Sequence, residues 1–138
     1  MGDFNARTSN HQASIICCKE DHNPIWLIEE ENPQWVRCSE DDKVSNHFGD
    51  ELLTLCGAFN LIICNGLDRW KRSGNFTSNT YNGASVVDYV MCSQSLIEKI
   101  DEVSIGEHIW DLKSDHNPFF IRLSWLEERQ HMRKTQCS

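Results

Sequence analysis

Features that define membrane and secreted proteins are missing from this sequence. No uninterrupted apolar run reaches the roughly 18 residues that a membrane-spanning helix needs, so we expect no membrane partner. The opening residues Met1-Gly2-Asp3 lack the basic region and apolar stretch of a secretory signal. We therefore expect an intracellular protein, either nuclear or cytoplasmic.

Positive charge is also scarce. The 138 residues include 13 Lys and Arg against 21 Asp and Glu, which gives a net charge of −8. This balance disfavours a nonspecific binder of polyanions, because phosphate contacts need local cations. It leaves open an enzyme that acts on phosphates through a metal ion held by carboxylates. A hydrophobic content of 39% and a charged content of 25% favour a single globular domain.

Paired-cysteine signatures are absent. The seven cysteines are scattered and no C-x-x-C pair occurs, while Cys64 continues the apolar run Leu61-Ile62-Ile63. We interpret the cysteines as reduced thiols that serve as small buried hydrophobic residues. The alternative is a zinc site at Cys17, Cys18 and His22, but it lacks a second ligand pair at a recognisable spacing.

Hydrophobic periodicity predicts a mixed α/β structure. A helix is expected to begin at a cap on Ser45 or Asn46 and to end at Gly57. Its apolar face is predicted at Phe48, Leu52, Leu55 and Cys56. Strands are predicted at 60–64, from 76, at 85–91, at 103–105 and at 119–125, with a hairpin turn at Asn82-Gly83 and helical turns at 95–100.

Two charged segments have plain and functional interpretations. The acidic run Glu40-Asp41-Asp42 is typical of a solvated loop or helix start. Arg69, Lys71 and Arg72 surround Trp70, a pattern that could contact a phosphate backbone and stack a base. An exposed loop with a Trp anchored on the surface explains that second pattern equally well.

Three polar clusters lie beside or within predicted strands: Asp3 with Asn5, Asp88, and Asp115 with His116. Each alone fits a turn, a half-exposed strand residue or a loop. Together they supply what metal-assisted phosphodiester cleavage requires. Carboxylates hold a hard cation, an aspartate can orient a histidine, and an amide can bind a phosphate or the attacking water. Asp88 interrupts an apolar strand, which is costly unless the carboxylate is paired or liganded.

Three segments, in this order, resemble the endonuclease/exonuclease/phosphatase family: Gly2-Asp3-Phe4-Asn5-Ala6-Arg7, Ser85-Val86-Val87-Asp88-Tyr89-Val90 and Ser114-Asp115-His116-Asn117-Pro118. The chain is most similar to the apurinic/apyrimidinic-like endonuclease domains of LINE-type retrotransposons and their craniofacial-development-protein-like relatives. The resemblance covers residues 1–125 and leaves 126–138 as a charged C-terminal tail. It implies an α/β fold, the C-terminal half of a four-layered, DNase I-like sandwich, with the N-terminal half absent.

The resemblance also implies roles for individual residues. Asp3 matches the aspartate that positions or deprotonates the attacking water near the metal, and Asn5 matches the asparagine that binds the scissile phosphate. Asp88 matches the aspartate that orients the catalytic histidine, His116. The expected metal-binding residues are Asp3, Asn5 and Asp115, and the expected phosphate-binding residues are Asn5 and Thr77. We predict that the Asp88 carboxylate lies roughly 2.6–3.2 Å from the His116 ring.

The implied activity is Mg²⁺- or Mn²⁺-dependent hydrolysis of phosphodiester bonds, with DNA as the expected substrate. The family's early metal-binding Asn and Glu, and a later Tyr, have no counterpart here. We therefore expect weak metal binding, an inactive chain, and a frayed terminus at Asp3 and Asn5. A sheet face that carries residues such as Val86, Val90, Phe120 and Leu123 is expected to lack its partner layer, which would favour self-association.

Two alternative functions remain open at this level. The first is a non-catalytic fragment that binds a partner or completes a split domain. The second is a phosphatase that acts on inositol phosphates or phospholipids. The segment Ser-Val-Val-Asp-Tyr around Asp88 lacks the Trp- and Arg-containing pattern of inositol phosphatases, which makes the phosphatase the less favoured of the two.

Overall fold

A computed structural model describes residues 1–12 and 35–124, together with the backbone of two short strands at Ile16–Cys17 and Ile25–Trp26. The zinc interpretation at Cys17, Cys18 and His22 lies outside the described side chains. The charged tail at 126–138 also lies outside the described residues. No helix in the described part of the chain is both long and apolar enough to cross a membrane.

The described residues form helices and short antiparallel strands, as the sequence predicts for a mixed α/β structure. In chain order the elements are β1 (Gly2–Asp3), β2 (Ile16–Cys17), β3 (Ile25–Trp26), α1 (His47–Ala58), β4 (Leu61–Ile63), β5 (Ser78–Thr80), β6 (Gly83–Ser85), β7 (Asp88–Tyr89), β8 (Met91–Ser93), α2 (Gln94–Ile97), β9 (Ile100–Ile105) and β10 (Phe119–Leu123). The 3₁₀ segments include Asp68–Gly74 and Trp110–Leu112. The strands pair as β1 with β7, β2 with β3, β4 with β8, β5 with β6 and β9 with β10.

Helix α1 begins where its cap was predicted. The Asn46 side-chain oxygen accepts the Gly49 N–H at 2.8 Å, as an N-cap residue does, and it also accepts the Arg7 N–H at 3.0 Å. The predicted apolar face is only half right, since Leu52 and Cys56 are buried while Phe48 and Leu55 are exposed. The reason is a close approach at Gly49, where an added Cβ would lie 1.9 Å from the Arg7 carbonyl oxygen. This contact with the N-terminal segment sets the rotation of the helix.

The predicted strand at 85–91 is divided into β6, β7 and β8. Between β6 and β7, backbone N–H groups donate to side-chain oxygens and not to the backbone of a neighbouring strand. The Val86 N–H donates to Asp41 Oδ2 at 3.0 Å, and the Val87 N–H donates to Thr77 Oγ1 at 3.0 Å. Backbone groups that are satisfied by side chains do not extend a ladder, so the chain can change direction just before Asp88.

Two clusters of buried side chains form the core. The first contains Trp35, Ile62, Cys64, Leu67, Trp70, Val90, Cys92, Ile97, Ile100 and Val103. The second contains Ala6, Leu52, Cys56, Ile63, Val86 and Tyr89. The predicted role of cysteines as small buried hydrophobic residues is confirmed for three of them, and burial raises the pKa of the Cys56 thiol to about 11.

The expectation of an uncovered sheet face is wrong for Val86 and Val90, which are buried in these two clusters. It agrees with the structure on β10, where Phe120 is 58% exposed and Leu123 is 45% exposed. Val86 and Val90 are covered because the second cluster packs against α1 and the first against α2 and β9.

The hypothesis that Trp70 stacks a nucleic-acid base is wrong. Its side chain belongs to the first core cluster, and its indole N–H donates to the Asp101 carbonyl at 3.1 Å. The Arg69 guanidinium lies 5.6 Å from the centroids of both the Trp70 and Trp35 rings. Arg69 therefore makes cation–π contacts with core aromatic rings at the edge of the core.

Candidate active site

Strands β1 and β7 bring two of the predicted site residues together. Their antiparallel register places Asp3 opposite Asp88 and Gly2 opposite Tyr89. The Phe4 N–H extends the pairing by donating to the Val87 carbonyl at 2.9 Å, and the Phe4 ring lies 6.3 Å from the Tyr89 ring. The expected frayed terminus is therefore wrong. Residues directly opposite in such a pair project from the same face of the sheet, so both carboxylates lie on one side.

The segment that carries His116 is fixed to β5 through its backbone. The Asn79 N–H donates to the Asp115 carbonyl at 2.7 Å, and the Asn117 N–H donates to the Thr77 carbonyl at 2.8 Å. An isolated bridge between Ser78 and His116 joins the same two segments. These backbone contacts hold His116 beside β5 and beside Thr77, the residue before it.

The predicted contact between Asp88 and His116 is present. His116 Nδ1 lies 2.8 Å from Asp88 Oδ2, while Nε2 lies 3.6 Å from both Asp3 Oδ2 and Asp115 Oδ1. Asp88 is the least exposed of these carboxylates, at 13% against 51% for Asp3 and 58% for Asp115. The least exposed carboxylate thus holds one ring nitrogen, and the two exposed carboxylates face the other.

This arrangement favours the protonated form of the imidazole. The pKa of His116 is raised chiefly by the hydrogen bond to Asp88, with partial burial opposing that effect. The negative charges of Asp88, Asp3 and Asp115 raise the pKa further. The charge of His116 therefore stabilises the fold at pH values below its ordinary pKa, and this contribution is lost as the pH rises through the raised value.

We expect Asp88→Asn to lower the pKa of His116 toward its ordinary value, because the substitution removes both the charge and the carboxylate acceptor. Titration of the His116 ring signals by NMR measures the change. Asp115→Asn is the matched control and should lower the pKa less, because Asp115 contributes only a longer-range charge. An unchanged His116 pKa in Asp88→Asn would show that the two side chains do not interact in solution.

The structure does not support a phosphate contact for Thr77. Its side chain is fully buried, and Oγ1 accepts the N–H groups of Val87 at 3.0 Å and Asp88 at 3.1 Å. With these partners Thr77 positions the backbone of Asp88. Its contact with phosphate remains a prediction.

Asn5 is exposed on the surface next to Asp3, and its backbone is in the left-handed region with a φ of 48°. Its N–H donates to Asp3 Oδ1 at 2.9 Å, which is the contact of an Asx turn. This bond holds one carboxylate oxygen of Asp3 and leaves Oδ2 facing His116. A direct contact between the Asn5 side chain and phosphate remains a prediction.

Two asparagines support the site without having been predicted. Asn65 is buried, its Oδ1 accepts the Val90 N–H at 2.9 Å, and its Nδ2 donates to the Asp88 carbonyl at 3.0 Å. The Asn117 Nδ2 donates to the Phe76 carbonyl at 2.8 Å. The sequence marks Asn65 only as part of a turn pair, and Asn117 only as the neighbour of His116. Their partners lie too far along the chain for a local pattern to reveal them.

An ion pair links the first and second motif segments. The Arg7 Nε and Nη2 atoms donate to the two oxygens of Asp41, at 2.9 and 2.6 Å. Asp41 Oδ2 also accepts the Val86 N–H. Asp41 is 6% exposed, so the interpretation of the acidic run as fully solvated is wrong at this position. The pair holds the residues after Asp3 against the residues before Asp88.

No protein-family model, curated protein or solved structure matches the chain. What defines the site is its geometry. Asp3, Asp88 and His116 each offer a ligand atom within 4.8 Å of the others. A histidine held by one carboxylate can accept or donate a proton at its other ring nitrogen and, when protonated, can donate to an anionic group.

Proposed function

We propose that this chain belongs to a metal-dependent phosphodiesterase of the endonuclease/exonuclease/phosphatase type and that its substrate is DNA. One observation carries this function: a single imidazole is held on Nδ1 by Asp88 at 2.8 Å and faces Asp3 and Asp115 on Nε2 at 3.6 Å. The three motif segments that supply these residues occur in the order of that family. Their order also supports the finer assignment of the mixed α/β fold as the C-terminal half of a four-layered, DNase I-like sandwich.

The residues divide the chemistry of hydrolysis between them. Asp88 keeps a proton on Nδ1 and orients the ring of His116. The protonated Nε2 of His116 then donates to a phosphate oxygen and stabilises the negative charge that develops in the transition state. Asp3 accepts a proton from the attacking water as the water oxygen bonds to phosphorus, and the amide of Asn5 binds the scissile phosphate. The P–O bond to the leaving oxygen breaks, and that oxygen takes a proton from solvent. Each protein group in these steps is exposed or is oriented by a contact described above.

The donor set fits a hard divalent cation. Asp3 and Asp115 are exposed carboxylates on the same side of His116, and carboxylate oxygens are the ligands that Mg²⁺ and Mn²⁺ prefer. These two residues, with the amide oxygen of Asn5, would hold the cation. When bound, the cation would supply positive charge to the phosphate group.

We expect Mg²⁺ to bind in the millimolar range or more weakly, an affinity of about −4 kcal/mol, because two exposed carboxylates and one amide are few ligands. Isothermal titration calorimetry of the metal-free chain measures this affinity. Asp115→Asn should weaken it further, and Glu51→Gln, on the exposed face of α1, should not. Micromolar binding by the unaltered chain would contradict this ligand count.

Nicking of supercoiled plasmid tests the proposed function. Because its described metal ligands are few, the 138-residue chain alone should not nick above background. Fusing the N-terminal half of an active endonuclease of this family ahead of Gly2 would add metal ligands, and we call this fusion the complemented chain. It should nick plasmid in the presence of Mg²⁺ or Mn²⁺.

A folded complemented chain that fails to nick would count against the proposed function. Nicking by the chain alone that disappears in His116→Ala would support the function, but it would overturn the expectation of an inactive chain. Circular dichroism establishes in each case that the variant is folded.

Exposed apolar side chains on β10 favour a second candidate, a non-catalytic unit that associates with a partner or with itself. Phe120 is 58% exposed, Ile121 is 38% exposed and Leu123 is 45% exposed. Sedimentation of the chain at several concentrations distinguishes this function. Metal-independent dimers that dissociate in Phe120→Ser, together with an inactive complemented chain, would favour association over catalysis.

A further inference from the structure

A groove of about 360 Å³ lies beside the candidate active site. We call it the stacking groove; the residues that matter for its function are Tyr81, His108, Trp110, Lys113, Ser114 and Asp115. Its volume is in the range of small-ligand sites. The groove shares Asp115, the residue before His116, with the candidate active site.

Two aromatic side chains in the groove are unusually exposed for their size. Trp110 is 81% exposed, and Tyr81, at the tip of the β5–β6 hairpin, is 98% exposed. Exposed aromatic rings that line one concave surface are typical of a binding site. Both side chains are therefore accessible to a ligand in the groove.

The Trp110 ring is held in place from behind. The His108 ring packs edge-on against it, with centroids 4.3 Å apart and an interplanar angle of 76°. His108 Nδ1 in turn lies 3.2 Å from Asn117 Oδ1, and Asn117 adjoins His116. A ring oriented by this series of contacts loses little side-chain entropy when a ligand stacks on it.

One lysine in the groove can contact the phosphate of a ligand that also carries a flat ring. Lys113 is exposed at the groove and supplies positive charge, while the exposed Asp115 carboxylate also lines the groove. The whole chain is acidic, with a net charge of −8. Nonspecific electrostatic binding of a polyanion to the whole surface is therefore disfavoured, and binding must depend on local contacts.

We propose that the stacking groove binds an unpaired nucleobase next to the scissile phosphodiester, with the base stacked against Trp110 and Tyr81 and the backbone phosphate near Lys113. This role rests on the proposed function and names its substrate class: nucleic acid that contains unpaired nucleotides, in preference to intact duplex. A base in a duplex is already stacked between its neighbours, so only an unpaired base offers its faces to the groove.

Fluorescence anisotropy of a labelled, mixed-sequence single-stranded oligonucleotide tests this groove, with the full 138-residue chain and EDTA present. We expect the single strand to bind more tightly than the matching blunt duplex. Trp110→Ala and Tyr81→Ala should each weaken binding by about tenfold, the loss of one base–aromatic stack. Trp110→Phe should retain most of the affinity. Phe59→Ala is the matched control, because Phe59 is a 68% exposed aromatic residue that does not line the groove.

The proposed role of the stacking groove would be overturned by any of three results. These are undiminished binding by Trp110→Ala, a preference for duplex, and no measurable binding to the single strand. His116→Ala separates these outcomes from the proposed function, since it should lower the nicking rate of the complemented chain while weakening single-strand binding less than Trp110→Ala does. Groove binding without any nicking would refute the proposed function alone. Nicking whose KM is unaffected by Trp110→Ala would refute the groove alone.

Discussion

We expect His116→Ala to lower the rate of plasmid nicking by the complemented chain roughly 10²- to 10⁴-fold, the usual contribution of a positioned acid or base. The reason is the position of Nε2, which faces the exposed carboxylates of Asp3 and Asp115 at 3.6 Å. Without the imidazole, no other histidine side chain among the described residues is placed between these carboxylates. Single-turnover rates at saturating metal ion measure the loss.

The control for this experiment is His47→Ala. His47 is an exposed histidine on α1 that pairs with Glu51 at 3.0 Å, and its removal should leave the nicking rate unchanged. A His116→Ala rate within a few-fold of the unaltered rate would show that His116 takes no part in the reaction. Equal losses in both variants would point to a nonspecific effect on folding.

We expect Gly49→Ala to destabilise the fold by about 3 kcal/mol or more, at the upper end of the cost of overpacking. A Cβ at this position would lie 1.9 Å from the oxygen and 2.6 Å from the carbon of the Arg7 carbonyl. Both atoms are backbone, so neither can rotate away as a side chain can. The clash is relieved only if the N-terminal segment moves away from α1. That movement would also break the hydrogen bond from the Arg7 N–H to the Asn46 side chain.

Urea unfolding of the 138-residue chain measures this change in the free energy of unfolding. Glu51→Ala, two residues along the same helix on an exposed face, should change stability by no more than about 0.5 kcal/mol. Because Arg7 follows Asp3 and Asn5 closely, Gly49→Ala should also disturb the site and lower the pKa of His116. Equal stability of the two variants would show that the close approach at Gly49 does not persist in solution.

Local patterns predicted the parts of the fold that depend on local interactions. The start of α1 follows from Asn46, whose side chain caps the helix three residues away. The β5–β6 hairpin follows from Asn82-Gly83, where Gly83 takes a φ of 130°. The contact between Asp88 and His116 came from a resemblance in motif order, because no local rule joins residues 28 positions apart.

The parts that were not predicted depend on contacts between distant segments. Phe48 and Leu55 have the right spacing for a buried face, but the approach of Arg7 to Gly49 turns that face outward. Asp41 stands in an acidic run and is nevertheless buried, because Arg7 and the Val86 N–H both bind it. Composition and periodicity contain no information about such partners, so tertiary structure decides the outcome.

The central claim is that Asp88 acts through His116 as a single unit, and a double-mutant cycle on plasmid nicking by the complemented chain tests it most directly. Asp88→Asn, His116→Ala and the double variant are compared with the unaltered protein in single turnovers. If Asp88 works only by orienting and charging His116, the double variant will be no slower than His116→Ala. Losses that multiply in the double variant would contradict the claim, because they would show that the two residues act independently.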